Sequence, residues 1–200
     1  AEEEGWNGLV IGNNAKQFSV GANLMNLGMM AMQKQFKPLE ELVNNFQQIT
    51  MKIKTSKIPV VTATQGYVFG GGCEIAMHSD AGIYAAESYI GLVEVGVGLI
   101  PGAGGNLRML LNLMENSGAG RMNSFQVAQK AFETIGFAKV ATSADEAKFL
   151  GYLLKSDTII LNNDQRIWTA KQKALELINE NYQPPEYRND LKLPGTGGRT

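Results

Sequence analysis

Two acidic residues stand in surroundings that do not suit them. In YVFGGGCEIAMHSD, Tyr67 to Asp80, three consecutive glycines are followed by Cys73 and then by Glu74 in an otherwise apolar run. In IGLVEVGVGLIPGAGG, Glu94 is a lone carboxylate among Val93, Val95, Val97 and Leu99. Burying such a group is expensive unless it is paired or protonated. Burial also raises its pKa, which suits proton transfer near neutral pH. The glycines offer a second chemistry. Where a loop becomes a helix, the first backbone N–H groups lack intrahelical partners and, with the helix dipole behind them, hold negative charge. Gly71 and Gly72 sit at such a place, and without a Cβ they let a substrate carbonyl reach the backbone. Two acids beside an oxyanion site form an arrangement for moving protons next to a polarised carbonyl.

Each feature also has a plainer reading. Three glycines can simply let a helix and a strand pack closely. Glu74 fits an acid that complements a helix N-terminus, and Glu94 fits an outward-facing position on a strand or loop edge. His78 is the only histidine and lies at an apolar helix end, which reads as structural. Cys73 reads as a small hydrophobe, since no base is evident to make it a nucleophile. Neither GGGCE nor GAGGN completes G-x-G-x-x-G, and neither ends in the G-K-[ST] of a phosphate-binding loop.

The chain has 200 residues, 44% of them hydrophobic, with a mean hydropathy of −0.13. That is enough for one domain with a substantial core. Eighteen basic residues against 19 acidic ones leave a formal charge of −1, so no global field draws in nucleic acid or anionic lipid. The single cysteine excludes an internal disulfide and no Cys/His cluster has zinc-site spacing, so a reducing, cytoplasmic setting is expected. No apolar run approaches the roughly 18 residues of a membrane span. The acidic start AEEEGW does not read as a signal peptide.

The elements that must position these residues alternate between strand and helix. GLVIG, Gly8 to Gly12, reads as a buried strand bounded by glycines. Leu39, Leu42, Val43, Phe46, Ile49 and Ile53 recur at helical spacing, predicting an amphipathic helix with its inner face on a core. PVVTATQG, Pro59 to Gly66, reads as a second buried strand, Gly71 onward as a helix, and Ala81 to Ala86 as a third strand. Helices are expected at Leu107 to Leu113, Ser124 to Ile135, Ala144 to Leu150 and Asp164 to Asn181, with a short strand over Thr158 to Leu161. This alternation predicts an α/β sheet layered with helices. The Met-rich stretch LMNLGMMAM, Leu24 to Met32, fits ordinary core packing better than the lining of an acyl-chain tunnel. The segment from Gln183, with paired prolines and a Gly-rich end, reads as a linker or tail.

The run from Lys57 to Leu110, KIPVVTATQGYVFGGGCEIAMHSDAGIYAAESYIGLVEVGVGLIPGAGGNLRML, resembles the signature region of the crotonase family of enoyl-CoA hydratases and isomerases. GNNAKQFSVGANL resembles the family's other motif, close to G-x-x-x-x-F-[SC]-x-G-A-D-[LI]. The likeness is close from Gly8 to Leu113 and looser to about Asn181. It implies an oxyanion hole from the backbone amides of Ala22 and Gly71, with Glu74 and Glu94 as the catalytic acids. It also implies acyl-CoA contacts at Lys16, Val20, Ala22 and Leu24, and no metal or redox cofactor; NAD would belong only to a fused dehydrogenase region. Retention of both glutamates favours syn hydration of a trans-2-enoyl-CoA over isomerisation. The implied fold is a ββα spiral core with C-terminal helices, usually trimeric.

Two departures stand out: Asn23 replaces the motif's acid, and Met25 stands where relatives often carry a basic residue. Lys16 matches a position that is often basic near the CoA phosphates, and equally fits a solvated loop lysine. The resemblance further implies that strands upstream of GLVIG are missing. Residues 1–182 are then expected to be a partial hydratase-like domain and 183–200 a tail. Together these features suggest part of a protein of fatty-acid β-oxidation in which this region is fused to a 3-hydroxyacyl-CoA dehydrogenase.

Overall fold

The computed structural model describes residues 2–118, 123–186, 191 and 195. Most of the expected tail lies outside the described residues. Strands β1 (Leu9–Gly12), β2 (Val60–Thr64), β4 (Ala81–Ala85) and β6 (Thr158–Ile160) form one parallel sheet in the order β1-β2-β4-β6. A second, two-stranded parallel sheet pairs β3 (Tyr67–Phe69) with β5 (Tyr89–Gly91).

The chain therefore winds as a spiral. After β2 in the large sheet it places β3 in the small one and then turns into α3 (Gly71–His78); β4 and β5 repeat the step. The first turn follows the same plan. After β1, Ser19 bridges Val68 in parallel, with Ser19 N donating to Tyr67 O at 2.9 Å and Phe69 N donating to Ser19 O at 3.0 Å. Only then does the chain enter α1 (Leu24–Met32) and α2 (Phe36–Lys54).

Every residue of β2 is buried, as its continuous β-branched run predicts for a strand covered on both faces. On one side Val61, Ala63 and Ile83 meet Ala170 and Ala174 of α7 (Arg166–Asn179). The other core gathers Val68, Met77, Ile90 and Leu92 with Met109 and Leu113 of α4 (Gly105–Ser117). Val127 and Ala131 of α5 (Ser124–Gly136) and Ala144 and Ala147 of α6 (Ala144–Leu150) complete it.

Four expectations need correction. Strands β3 and β5 are absent from the sequence reading, because three residues with one exposed end carry too little alternation to register. The Met-rich stretch does form a helix, α1, but none of its residues is buried, so it is not core packing within this chain. Along α2 only Thr50 and Ile53 are buried, while Leu42, Val43 and Ile49 are 40–49% exposed. The inner face of that helix meets the core mainly at its C-terminal end. Helix α7 begins at Arg166 rather than Asp164, after a single 3-10 turn over Asn163–Gln165.

Candidate active site

The two sequence-distant motifs meet because of the small sheet. Once Ser19 is locked beside β3, the turn Gly21–Ala22 is carried alongside Phe69–Gly70 and the start of α3. A Cβ on Gly70 would stand 3.8 Å from Gly21 Cα, and one on Gly21 would stand 3.7 Å from Phe69 O. The Gly21 amide donates to Ser19 Oγ at 3.2 Å, a short-range bond that fixes the turn. Gly71, as the first residue of α3, presents an amide without an intrahelical acceptor. The ring of Phe46 from α2 closes on this glycine: a Cβ there would come within 2.6 Å of Phe46 Cε1.

Glu74 is 2% exposed, on the first turn of α3. Its Oε1 accepts from Ala103 N at 2.8 Å and Gly105 N at 2.9 Å. Burial raises its pKa, and these two amides pull it back down by stabilising the charged form. Gly105 is needed for this approach, since a Cβ there would lie 2.9 Å from Glu74 Oε1. The turn that supplies the amides is held in place by α2, with Thr50 Oγ1 donating to Ala103 O at 2.8 Å and Gln47 Nε2 donating to Gly102 O at 2.7 Å. Sequence reasoning missed this support. The only signal for it was the glycine-rich GAGG after Pro101.

Glu94 opens a 3-10 turn, Glu94–Val97, immediately after the buried Leu92 and half-buried Val93. It does not face solvent. A Cβ on Gly70 would meet Glu94 Oε1 at 3.3 Å, so the carboxyl is turned toward the start of α3. Its Oε2 is buried with no hydrogen-bond partner among the described residues. Burial, joined by repulsion from Glu74, raises its pKa to about 7. The two acids thus differ in kind: one is hydrogen-bonded by two amides and the other has an unpartnered oxygen.

Around them, His78 is buried and its Nδ1 lies 2.7 Å from Glu74 O. A carbonyl can only accept, so Nδ1 carries the proton. Burial lowers this group's pKa to about 4, and the ring is neutral at pH 7. Its role of bracing the backbone of α3 fits a structural histidine. Cys73 is 1% exposed and its thiol pKa is driven well up by burial and by Glu94 and Glu74, which makes it inert. Lys16, Val20, Ala22 and Leu24 all lie exposed on the loop before α1 and on its first residue, with Val20 67% and Leu24 47% exposed. Asn23 keeps a function despite replacing the motif's acid: its side chain caps α1 by accepting from Asn26 N at 3.2 Å.

A cavity of about 630 Å³ lies elsewhere. It is lined by the C-terminal end of α2, α4 and residues near Tyr182, including Lys54, Asp80 and Arg108. There Asp80 is engaged by Val60 N and Lys54, and Arg108 by Met77 O and Asn112. Glu94, with its unpartnered carboxylate oxygen, does not line this cavity and is turned toward the start of α3.

The chain is similar to known proteins. The sequence profile of the family described as Enoyl-CoA hydratase/isomerase matches residues 1–150. A Bacillus subtilis (strain 168) protein named "Probable 3-hydroxyacyl-CoA dehydrogenase" is 42% identical over 196 residues, covering 98% of this chain and 24% of that protein. The 2,3-dehydroadipyl-CoA hydratase of Escherichia coli (strain K12) is 31% identical over 102 residues, covering 50% of this chain and 37% of the enzyme. Among solved structures, an enoyl-CoA hydratase from Polaromonas sp. JS666 superimposes with a TM-score of 0.68 at 20% identity, covering 86% of this chain and 59% of that one. One from Thermoplasma volcanium gives 0.63 at 25% identity, with 90% and 60% covered. The chain thus spans about a quarter of the Bacillus protein, which it matches along nearly its whole own length. With the profile match over 1–150 and a ββα spiral shared with these structures, the chain belongs to the enoyl-CoA hydratase/isomerase family.

Proposed function

We propose that this chain is a hydratase region that adds water across the double bond of a trans-2-enoyl-CoA to give the 3-hydroxyacyl-CoA. The observation that carries the reading is the unequal pair of acids at the start of α3. Glu74 accepts two backbone hydrogen bonds, while Glu94 has a buried, unpartnered Oε2 and a pKa of about 7. Environments that separate two carboxyls in this way divide the roles of base and acid.

In this mechanism the thioester carbonyl oxygen accepts from the amides of Ala22 and Gly71, so charge developing on it during addition is stabilised. One donor of such a pair typically contributes about 2.7–4 kcal/mol to the barrier. Water held between the carboxyls then attacks Cβ. Its oxygen forms the new C–O bond, one of its protons goes to Glu74, and Glu94 delivers its own proton to Cα. The proton on Glu74 restores Glu94, so the net change is OH on Cβ and H on Cα. Both groups approach from one side, which makes the addition syn. Lys16, Val20 and Leu24 would flank the CoA portion on the exposed approach to Ala22.

The name and coverage of the Bacillus relative support a wider setting. In that setting residues 1–182 form the hydratase region of a larger protein of fatty-acid β-oxidation that also carries 3-hydroxyacyl-CoA dehydrogenase activity, and 183–200 lead toward another region.

A second reading has an observation of its own. Because Glu74 Oε1 is committed to two amides, that residue could brace the GAGG turn and leave Glu94 as the single base of an enoyl-CoA isomerase. The two are separated by following the conjugated-enoyl absorbance of crotonyl-CoA and a longer 2-enoyl-CoA, with Glu74→Gln and Glu94→Gln variants. Hydration requires turnover that both substitutions abolish. Turnover indifferent to Glu74→Gln assigns the isomerase. Thioester binding without turnover in any form identifies a non-catalytic binding module.

A further inference from the structure

Ala22 poses a structural problem: an oxyanion donor must be held rigidly, yet it lies on an exposed loop before a helix with no buried residue. We infer that Gln65, Asn13 and Arg166 form a polar clamp that positions the Ala22 amide. Gln65 and Arg166 act as positioning residues of the thioester-carbonyl site. The inference rests on the assignment of Ala22 to that site.

The clamp joins three elements at one point. Gln65 follows the last residue of β2 and is 3% exposed. Its Nε2 donates to Asn13 Oδ1 at 2.9 Å and Ala15 O at 2.6 Å, with Asn13 O also near at 3.3 Å. Asn13, just past β1, folds the loop on itself: its Nδ2 donates to Phe18 O at 3.0 Å and its Oδ1 accepts from Ala15 N at 3.0 Å. Arg166, the first residue of α7 and also 3% exposed, donates from Nη2 to Asn13 O at 2.7 Å, across 153 positions of sequence. Its Nη1 is anchored on Asn163 Oδ1.

Beyond the clamp the loop runs directly into the small sheet. Phe18 N donates to Gln65 O at 2.9 Å, the Gln17 side chain accepts from Tyr67 N, and Ser19 then takes its place beside β3. Ala22 is three residues further on. Gly66 completes the device. It has a positive φ of 56°, and a Cβ there would collide with Gln17 Oε1 and Lys16 O, so the loop can close over this position only because it is glycine. The apolar face of α1 supplies none of this restraint; the hydrogen bonds of Gln65 Nε2, Asn13 and the Arg166 guanidinium do, while Gln65 Oε1 and Arg166 Nε stay buried without a partner among the described residues. Displacement of a reacting group by about 1 Å can change rates by about 100-fold.

The test uses Gln65→Leu, which keeps size and removes the donor, Arg166→Met, which keeps the stem, and Arg166→Lys, which keeps one donor. Two readouts are needed. The first is steady-state hydration of crotonyl-CoA. The second is the absorption of a bound para-dimethylamino-cinnamoyl-CoA, whose band moves to longer wavelength as its carbonyl is polarised. Gln65→Leu and Arg166→Met should lower kcat about 10–100-fold. They should leave the probe's Kd within about threefold and remove most of its red shift, with Arg166→Lys falling between them and the unsubstituted protein. Unchanged kcat and red shift in folded variants overturn the clamp. So does loss of probe binding in parallel with loss of cooperative melting, which would mark the residues as purely structural. An unsubstituted protein that binds the probe without a red shift overturns the Ala22 assignment itself, and the clamp's role with it.

Discussion

Two apolar stretches of this chain behave in opposite ways. From Val60 to Leu92, β2, α3 and β4 are packed on both faces, with Val61 and Ala63 fully buried and Ile83 1% exposed. From Val20 to Ile49 the sequence is also rich in Leu, Met and Val, yet Met25 is 74% and Met32 86% exposed, and α1 contributes nothing to either core. Apolar composition is a capacity for burial, and burial follows only where the topology supplies a facing element. The candidate site straddles this divide. Glu74 and Gly71 stand on the packed block, whereas Ala22 stands at the edge of the exposed one and is held by polar bonds.

The largest expected effect tests whether the chemistry belongs to the packed block. Glu94→Gln should lower kcat/KM for a 2-enoyl-CoA about 10²–10⁴-fold, the range for loss of a general acid or base. It should not lower the melting temperature, because the buried Oε2 makes no hydrogen bond to lose. A comparable rate loss with a lower melting temperature would assign Glu94 to the fold instead.

Stability should separate the two regions next. Ile83→Ala, within β4, should destabilise the protein by about 2–5 kcal/mol in denaturant unfolding. Met29→Ala, on the 47%-exposed side of α1, should change it by no more than about 0.5 kcal/mol. Equal costs would mean that α1 is covered in solution.

The pH dependence sharpens the same contrast at Glu94, whose carboxyl is turned toward the packed block, and at His78 within it. Glu94 titrates at about 7 in the folded protein against an ordinary 4.5, so folding favours its protonated form. Its contribution to stability is present at low pH and is lost as pH rises through about 7. The melting temperature of Glu94→Gln relative to the unsubstituted protein should therefore climb between about pH 5 and pH 8. Hydration that relies on the Glu94 proton should fall over the same rise. His78 has the opposite sign. Its folded pKa of about 4 lies below the ordinary 6.5, so the stability it contributes is present above 6.5 and is lost as pH falls toward 4.

The smallest effect concerns α1. Asn23→Ala removes the cap on Asn26 N and should weaken that helix by about 1 kcal/mol. Faster amide exchange across Leu24–Met32, with the protection of β2 unchanged, is the expected result.

How legible the molecule was in its sequence varied along these lines. β2, α3 and β4 were readable because a continuous β-branched run, a glycine-initiated helix and a short apolar run each carry a local signal. The small sheet was not readable, and it is the element that brings the two motifs together. For Glu94 the sequence left an outward-facing edge and a buried acid equally open, and the contact with Gly70 decided for the interior. The Met-rich stretch was misjudged because helical spacing shows which face is apolar and not whether anything covers it.

By itself the sequence determined the residue types on which any chemistry here must draw: two acids in apolar runs, glycines at the start of α3, and an Ala22 turn in a recognisable motif. Those types reflect local backbone and side-chain properties that a short window contains. The tertiary structure alone decided their environments. Glu74 acquires two amide donors from a turn 29–31 residues away, Glu94 Oε2 acquires none among the described residues, and Arg166 reaches Asn13 from 153 residues away. Burial, hydrogen-bond satisfaction and the pKa values that follow from them are set by neighbours distant in sequence, and those neighbours exist only once the spiral has closed.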